Sequence, residues 1–313
     1  MHIVLLESLG VSSALLSAHS EKLASLGHTL SVYERCTEPA AVAERCRDAD
    51  AVMLANMPLN AACFEGCERL KYVDIAFTGV DHVPMDYFRA RGIRVSNASG
   101  YATEAVAELC IEYMISLLRK VNAVEQRCRQ GGSKDGLVGR LLRGKTVGIV
   151  GCGAIGKRVA ELCKAFGCRV LAYNRSAVHS PAVDEQLPLE ELLQRSDIVS
   201  LHVPLTAETA KLIGREQLAL MKDGALLLNT ARGGVVDTEA VVAALRSGKL
   251  GGCAADVFET EPPLADHPLF HTPNTLVTPH IGFASAESLE LRAEMVFDNL
   301  YAWLGGTILN EVK

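Results

Sequence analysis

TVGIVGCGAIGKRVAELCKAFG, residues 146–167, is the stretch on which the fold turns. A β-branched apolar run leads into Gly151-Cys152-Gly153-Ala154-Ile155-Gly156, an amphipathic segment follows and stops at Gly167, and a second apolar run, CRVLAY, comes next. A lone G-x-G-x-x-G pattern is weak evidence, because a tight structural turn can produce it. Between a strand and a helix it has a specific physical use: residues without side chains let backbone N–H groups approach a pyrophosphate, and the helix N-terminus adds favourable partial charge. The expectation is a parallel α/β domain that binds a dinucleotide at Gly151, Gly153, Ala154, Ile155 and Gly156.

Outward from this loop, apolar runs of strand length alternate with helix-period segments almost from end to end, which predicts parallel α/β architecture. Downstream the strand candidates are DIVSLHV, ALLLNT, GGCAADV and TLVTP. Upstream they are HIVLL, TLSVY, AVMLA, YVDIAF and IRVSN, with a helix in SSALLSAHSEKLASLG capped by Ser12 or Ser13 and stopped at Gly27. Tyr101–Val121 reads as one long helix whose apolar stripe is wider than a single core-facing side requires, so it is expected to be sandwiched between domains or between subunits, with a homodimer contact favoured. The following QGGSKDGLVGR reads as a surface loop, and SAESLELRAEMVFDNLYAWL as a closing amphipathic helix.

A chain of 313 residues suits two domains, and 49% hydrophobic with 22% charged residues is enough to bury a core. The net charge of −6 argues against a nucleic-acid or membrane-surface binder. No apolar run reaches the length of a membrane helix, and MHIVLLESLG reads as a first strand rather than a signal peptide. Ten cysteines without paired Cys-x-x-Cys spacing predict reduced thiols, no metal site and a cytoplasmic location.

The glycine pattern calls for an acid about 20 residues on, to bond the ribose 2′-hydroxyl of NAD and repel the 2′-phosphate of NADP. Asn174 stands in that window, followed by Arg175 and Ser176. Asn removes the repulsion, and Arg supplies a permanently charged donor fork. This favours NADP; NAD stays open, since Asn can still bond a ribose hydroxyl.

Arg232 follows ALLLNTA, Glu261 follows CAADVFET and His280 follows TLVTP. In an open parallel sheet, ligands sit beyond the carboxyl ends of the strands. Together the three meet the needs of one reaction. Hydride transfer to a 2-oxo acid develops an alkoxide, which needs a proton donor such as His280. A carboxylate such as Glu261 beside an imidazole stabilises its protonated form, and Arg232 can hold the substrate carboxylate while polarising the carbonyl.

NTARGGVVD around Arg232, AADVFETEP ending at Glu261 and TPHIGFAS around His280 resemble three blocks of the D-isomer-specific 2-hydroxyacid dehydrogenase family, among them glycerate dehydrogenases and hydroxypyruvate–glyoxylate reductases. VGIVGCGAIG resembles that family's cofactor loop and ATEAVAELCIEYMISLLR its interdomain helix. The resemblance implies two Rossmann-like doubly wound parallel-sheet domains: a discontinuous, flavodoxin-like substrate domain from residues 1–99 and 285–313, and an inserted dinucleotide-binding domain at 100–284. It implies catalysis by Arg232, Glu261 and His280. It places Val203 and Pro204 on the adenine side, Thr103 and Thr209 near the phosphates, Thr230 and Ala231 along the cofactor, and Asp256 against the nicotinamide amide. In the substrate domain it nominates Thr78 and Gly79 of FTGVDH for the substrate carboxylate and Asn56 of ANMPLN for its far end.

Neither loop of the substrate domain offers a cation for a phosphorylated substrate, Thr78 stands where a phosphite-oxidising relative resembles a Lys-containing loop, and Glu261 stands where formate dehydrogenases have Gln. Hydroxypyruvate or glyoxylate reduction is the first expectation, because Asn56 could bond a terminal hydroxyl. A D-lactate-like or branched aliphatic 2-oxo acid reductase is the alternative, favoured by Met57 and Leu59. A catalytically silent dinucleotide-sensing scaffold could keep the glycine loop, but would not need all three reactive residues.

Overall fold

The computed structural model describes residues 1–312 and holds two parallel-sheet α/β units, Met1–Ala102 with the segment from Phe283 onward, and Thr103–Gly282. The first unit contains β1 (His2–Leu5), β2 (Thr29–Val32), β3 (Ala51–Leu54), β4 (Tyr72–Ile75) and β5 (Arg94–Asn97), all parallel, in the order β2-β1-β3-β4-β5. β3 and β4 are buried at every position, as strands covered on both faces must be. Helix Ser13–Ser25 begins where the Ser12 hydroxyl accepts the Leu15 N–H and ends before Gly27, at φ +78°. Helix Ala286–Leu304, capped by Ser285, buries Val296, Phe297 and Leu300 in this unit.

The second unit contains β6 (Thr146–Val150), β7 (Arg169–Tyr173), β8 (Glu185–Gln186), β9 (Ile198–Leu201), β10 (Ala225–Asn229), β11 (Leu250–Ala255) and β12 (Thr275–Val277). Their order, β12-β11-β10-β9-β6-β7-β8, is doubly wound and reverses direction between β6 and β9. The two-residue β8 is the one strand without a visible apolar run.

The helix expected over 101–121 is Thr103–Arg119, two residues shorter at each end; it stops at Lys120, which adopts φ 56°, and a second helix that was not expected, Val121–Arg129, follows. Along this helix Val106, Ala107, Cys110, Ile111, Tyr113, Met114 and Leu118 are all buried. None of the ten cysteines forms a disulfide. Among the described residues no helix is long and apolar enough to cross a membrane, and no group of three His, Cys, Asp or Glu side chains could hold a metal ion.

Candidate active site

The three glycines of the loop after β6 have different surroundings. Gly151, at φ +93°, lies so close to the exit of the neighbouring β9 that a Cβ would fall 2.7 Å from the carbonyl of His202 and 2.8 Å from the Val203 side chain. A Cβ on Gly156 would meet the Gly151 carbonyl oxygen at 2.2 Å, so this glycine lets helix Ala154–Ala165 sit against the strand. A Cβ on Gly153 would meet nothing within 4 Å, and Gly153 and Ala154 are exposed while Ile155 is half-buried. Two glycines thus close the backbone on itself, and the third leaves an open face at a helix N-terminus, the shape a pyrophosphate requires.

Asn174, one residue beyond β7, braces this loop: its Oδ1 accepts the Cys152 N–H at 3.1 Å, and its Nδ2 donates to the Ser176 carbonyl and hydroxyl at 3.2 and 3.0 Å. Gln186 fastens the same turn by donating to the carbonyls of Asn174 and Ser176. Arg175 is exposed at its tip. Thr209 closes the loop that Val203 and Pro204 begin, its hydroxyl donating to the Pro204 carbonyl at 2.5 Å. Thr103 is half-buried as the first residue of its helix. His202 is bonded to Ser200 at 2.9 Å, and burial pushes its imidazole down to about 4, so it is neutral at physiological pH. Burial raises the Cys152 thiol, which fits a small filler rather than a reactive thiolate.

Asn229, Ala255 and Val277 are register partners across β10, β11 and β12, so the three loops that follow start side by side. This adjacency brings together the loops that carry Arg232, Glu261 and His280. Asn229, only 2% exposed, accepts the Ala231 N–H at 3.1 Å and donates to the Arg232 carbonyl at 2.9 Å, which sets the turn carrying Arg232. A Cβ on Gly233 would lie 2.0 Å from the Phe258 carbonyl carbon, so only glycine lets the Arg232 loop meet the loop carrying Glu261 backbone to backbone. Thr230 contacts the Cys110 thiol at 3.4 Å, and Ala231 is buried.

Glu261 bonds His280 Nδ1 through Oε2 at 2.5 Å and accepts the Phe258 N–H through Oε1 at 3.1 Å. Burial works to raise its carboxyl, but the hydrogen bond and charge of His280, the Phe258 N–H and the charge of Arg232 outweigh it and hold Glu261 below the usual carboxylate range. His280 Nδ1 is thus committed to Glu261, which fixes the orientation of the ring. Asp256, 1% exposed, has a carboxylate that accepts the Thr278 hydroxyl at 2.6 Å and the N–H groups of Ile281 and Gly282 at 2.8 Å each. Because Thr278 spends its hydrogen on Asp256, the Tyr113 hydroxyl must donate to Thr278, which links the buried helix to the His280 loop.

Asn229, Gly233, Thr278 and Tyr113 are supports that sequence reasoning missed. Asn229 and Gly233 lie inside the NTARGGVVD block, but nothing in a one-dimensional pattern separates them from ordinary turn residues.

In the first unit, Thr78 is exposed and Gly79 half-buried, and among the described residues no backbone acceptor meets either N–H. The Asn97 carboxamide donates to the Thr78 carbonyl at 2.7 Å, which fixes that turn. His82 donates to the Ala55 carbonyl at 2.9 Å and braces the loop containing Asn56. Met57 and Leu59 of that loop are 0% and 6% exposed. They belong to the core, which removes the basis for an aliphatic substrate preference.

A dinucleotide cradle at a topological switch point, with an imidazole–carboxylate pair and a guanidinium on adjacent strand ends, defines a nicotinamide-dinucleotide-dependent oxidoreductase. The family described as D-isomer specific 2-hydroxyacid dehydrogenase, NAD binding domain, matches residues 111–282. A glyoxylate reductase of Korarchaeum cryptofilum is 40% identical over 276 residues, 85% of this chain and 83% of that protein. A glycerate dehydrogenase of Methylorubrum extorquens is 36% identical over 298 residues, 91% of this chain and 92% of that one. The crystal structure of a glyoxylate reductase from Paecilomyes thermophila superposes with a TM-score of 0.90 at 30% identity, covering 100% of this chain and 98% of that one. The chain belongs to the D-isomer specific 2-hydroxyacid dehydrogenase family and is a 2-hydroxyacid dehydrogenase. A silent dinucleotide sensor is thereby set aside.

Proposed function

We propose that this dehydrogenase reduces hydroxypyruvate and glyoxylate, with NADPH as its preferred coenzyme. The observation that carries the catalytic part is the 2.5 Å contact between His280 and Glu261, under the charge of Arg232. The bound coenzyme supplies the hydride. Arg232 holds the substrate carboxylate and polarises the adjacent carbonyl, a task suited to a forked cation. His280 delivers the proton from Nε2 to the developing alkoxide, and Glu261 orients the ring through its bond to Nδ1. The backbone amides of Thr78 and Gly79 suit a carboxylate, and Asn56 suits a polar terminus.

The lean to NADPH is supported by Arg175, exposed at the tip of a turn that Asn174 and Gln186 make rigid, with no acid at position 174. A cytoplasmic homodimer completes the reading: the thiols are free, and Val121, Val138 and Leu141 are exposed apolar side chains of one unit. Sedimentation measures the association.

The test is steady-state turnover on hydroxypyruvate, glyoxylate, pyruvate and a branched 2-oxo acid, with NADH and NADPH in parallel. The highest kcat/KM is expected for hydroxypyruvate with NADPH. A preference for the branched acid would overturn the substrate reading, and a preference for NADH the coenzyme reading.

A further inference from the structure

The sheet order β2-β1-β3-β4-β5 reverses between β1 and β3, and in an open parallel sheet the crevice beyond such a reversal is where ligands are held. Three polar side chains from successive strand ends meet there. Glu7 follows β1, Arg35 follows β2 and Asn56 follows β3. Glu7 is 4% exposed, and its Oε1 accepts the N–H groups of Ala55 and Met57 at 2.8 Å each, so one carboxylate fixes the backbone on both sides of Asn56. Its Oε2 accepts Arg35, and the same guanidinium nitrogen donates to Asn56 Oδ1 at 3.0 Å.

This arrangement decides which edge of Asn56 is available. A guanidinium only donates, so the carboxamide must turn its oxygen to Arg35 and its NH2 group away from it. A ligand group at Asn56 must therefore be an acceptor. The charges of Glu7 and Arg35 cancel within the pair, so this cluster itself offers no surplus cation to favour a phosphate or a second carboxylate. A neutral acceptor, such as a hydroxyl oxygen, fits best.

We propose that Arg35 is a positioning residue for substrate selection: it orients the Asn56 carboxamide so that its N–H edge binds the terminal hydroxyl of a three-carbon 2-oxo acid. The proposal rests on the reading that Asn56 meets the far end of the substrate. It adds a residue, distant in sequence from the ANMPLN loop, that sets the polarity of that contact.

The experiment compares hydroxypyruvate with glyoxylate, which lacks the terminal hydroxyl, in the full-length enzyme and in Arg35→Met, Arg35→Lys and Asn56→Ala. In Arg35→Met the ratio of kcat/KM for hydroxypyruvate to that for glyoxylate falls roughly tenfold, as expected for one misdirected hydrogen bond, and the fall appears in KM for hydroxypyruvate rather than in kcat. Arg35→Lys, which keeps a cationic donor, recovers part of the ratio. If Arg35→Met does not fold, Arg35→Gln, which leaves Glu7 a neutral donor, reads the same ratio. A ratio unchanged in Arg35→Met, or an equal loss on both substrates, overturns the proposal. Asn56→Ala separates the two levels: if it too leaves the ratio unchanged, the reading of Asn56 itself fails, whereas a collapsed ratio there beside an unchanged one in Arg35→Met sinks only the role of Arg35.

Discussion

His280 is held by Asp256 along the main chain: the His280 N–H donates to the Asp256 carbonyl at 2.7 Å, and the next two amides donate to the Asp256 carboxylate. His280 adopts φ 56°, a left-handed conformation that a side-chain-bearing residue rarely takes and that surrounding bonds must stabilise. Asp256 supplies those bonds and so fixes where the imidazole meets Glu261.

Removing the imidazole and removing its support should therefore differ. His280→Ala is expected to lower kcat by roughly 10²–10⁴-fold with dinucleotide affinity nearly unchanged. Glu261→Gln keeps an acceptor for Nδ1 but drops the charge, and should lose less. Tyr113→Phe should cost about 1 kcal/mol of stability by taking the donor from Thr278, measured by urea unfolding. Weakened dinucleotide binding in His280→Ala, of the same size as the kcat loss, would contradict the assigned role.

The glycine loop allows a paired test of fold against ligand. Ala at Gly156 would place its Cβ 2.2 Å from the Gly151 carbonyl oxygen, and should destabilise the protein by about 2 kcal/mol or more through overpacking. Ala at Gly153 meets nothing within 4 Å and should cost about 1 kcal/mol or less as a poorer N-cap. Gly153→Ala is nonetheless expected to weaken dinucleotide binding, because its open side is the approach to the helix N-terminus. Thermal unfolding and coenzyme titration separate the two effects; an unaltered coenzyme affinity in Gly153→Ala would exclude close approach there.

Arg175→Ala should weaken NADPH by roughly tenfold or more, the size of a lost charge-assisted hydrogen bond, and change NADH little. Fluorescence titration with both coenzymes reads the difference. Equal losses would remove Arg175 from coenzyme selection.

Asp74 gives the first unit a pH dependence. It is 0% exposed on β4, accepts the Asn299 carboxamide at 3.1 Å, and burial pushes its carboxyl up to about 8. Between the ordinary value of 3.8 and about 8 the folded chain keeps a proton that the unfolded chain has released. Stability should fall as pH rises through that window, by about 1.4 kcal/mol per unit at most. Asp74→Asn should flatten the slope and gain stability relative to the parent at the alkaline end. Urea midpoints measured across the window check this, and an unchanged slope in the variant would assign it to other groups.

Much of this was legible in the chain itself. The alternation of apolar runs with helical segments marks both sheets, and the Gly151–Gly156 spacing after a β-branched strand marks the cradle, because those patterns express local backbone preferences and burial. Arg232, Glu261 and His280 were nominated because each lies beyond a strand end, and strand ends are readable; the structure brings Glu261 and His280 into contact. Polarity misled at Met57 and Leu59, whose apolar side chains turn into the core, and helix Val121–Arg129 escaped notice because it has no buried residue to give it an apolar stripe.

What only the tertiary structure decided is which groups share hydrogen bonds. Glu7, Arg35 and Asn56 are far apart along the chain and meet because β1, β2 and β3 are neighbours in the sheet; Asn229, Gly233, Asp256 and Thr278 gain their roles only once β10, β11 and β12 stand in register. Sequence pattern determines the elements, since period and propensity act over a few residues. The hydrogen bonds between strand ends depend on sheet order and register, which no local stretch encodes.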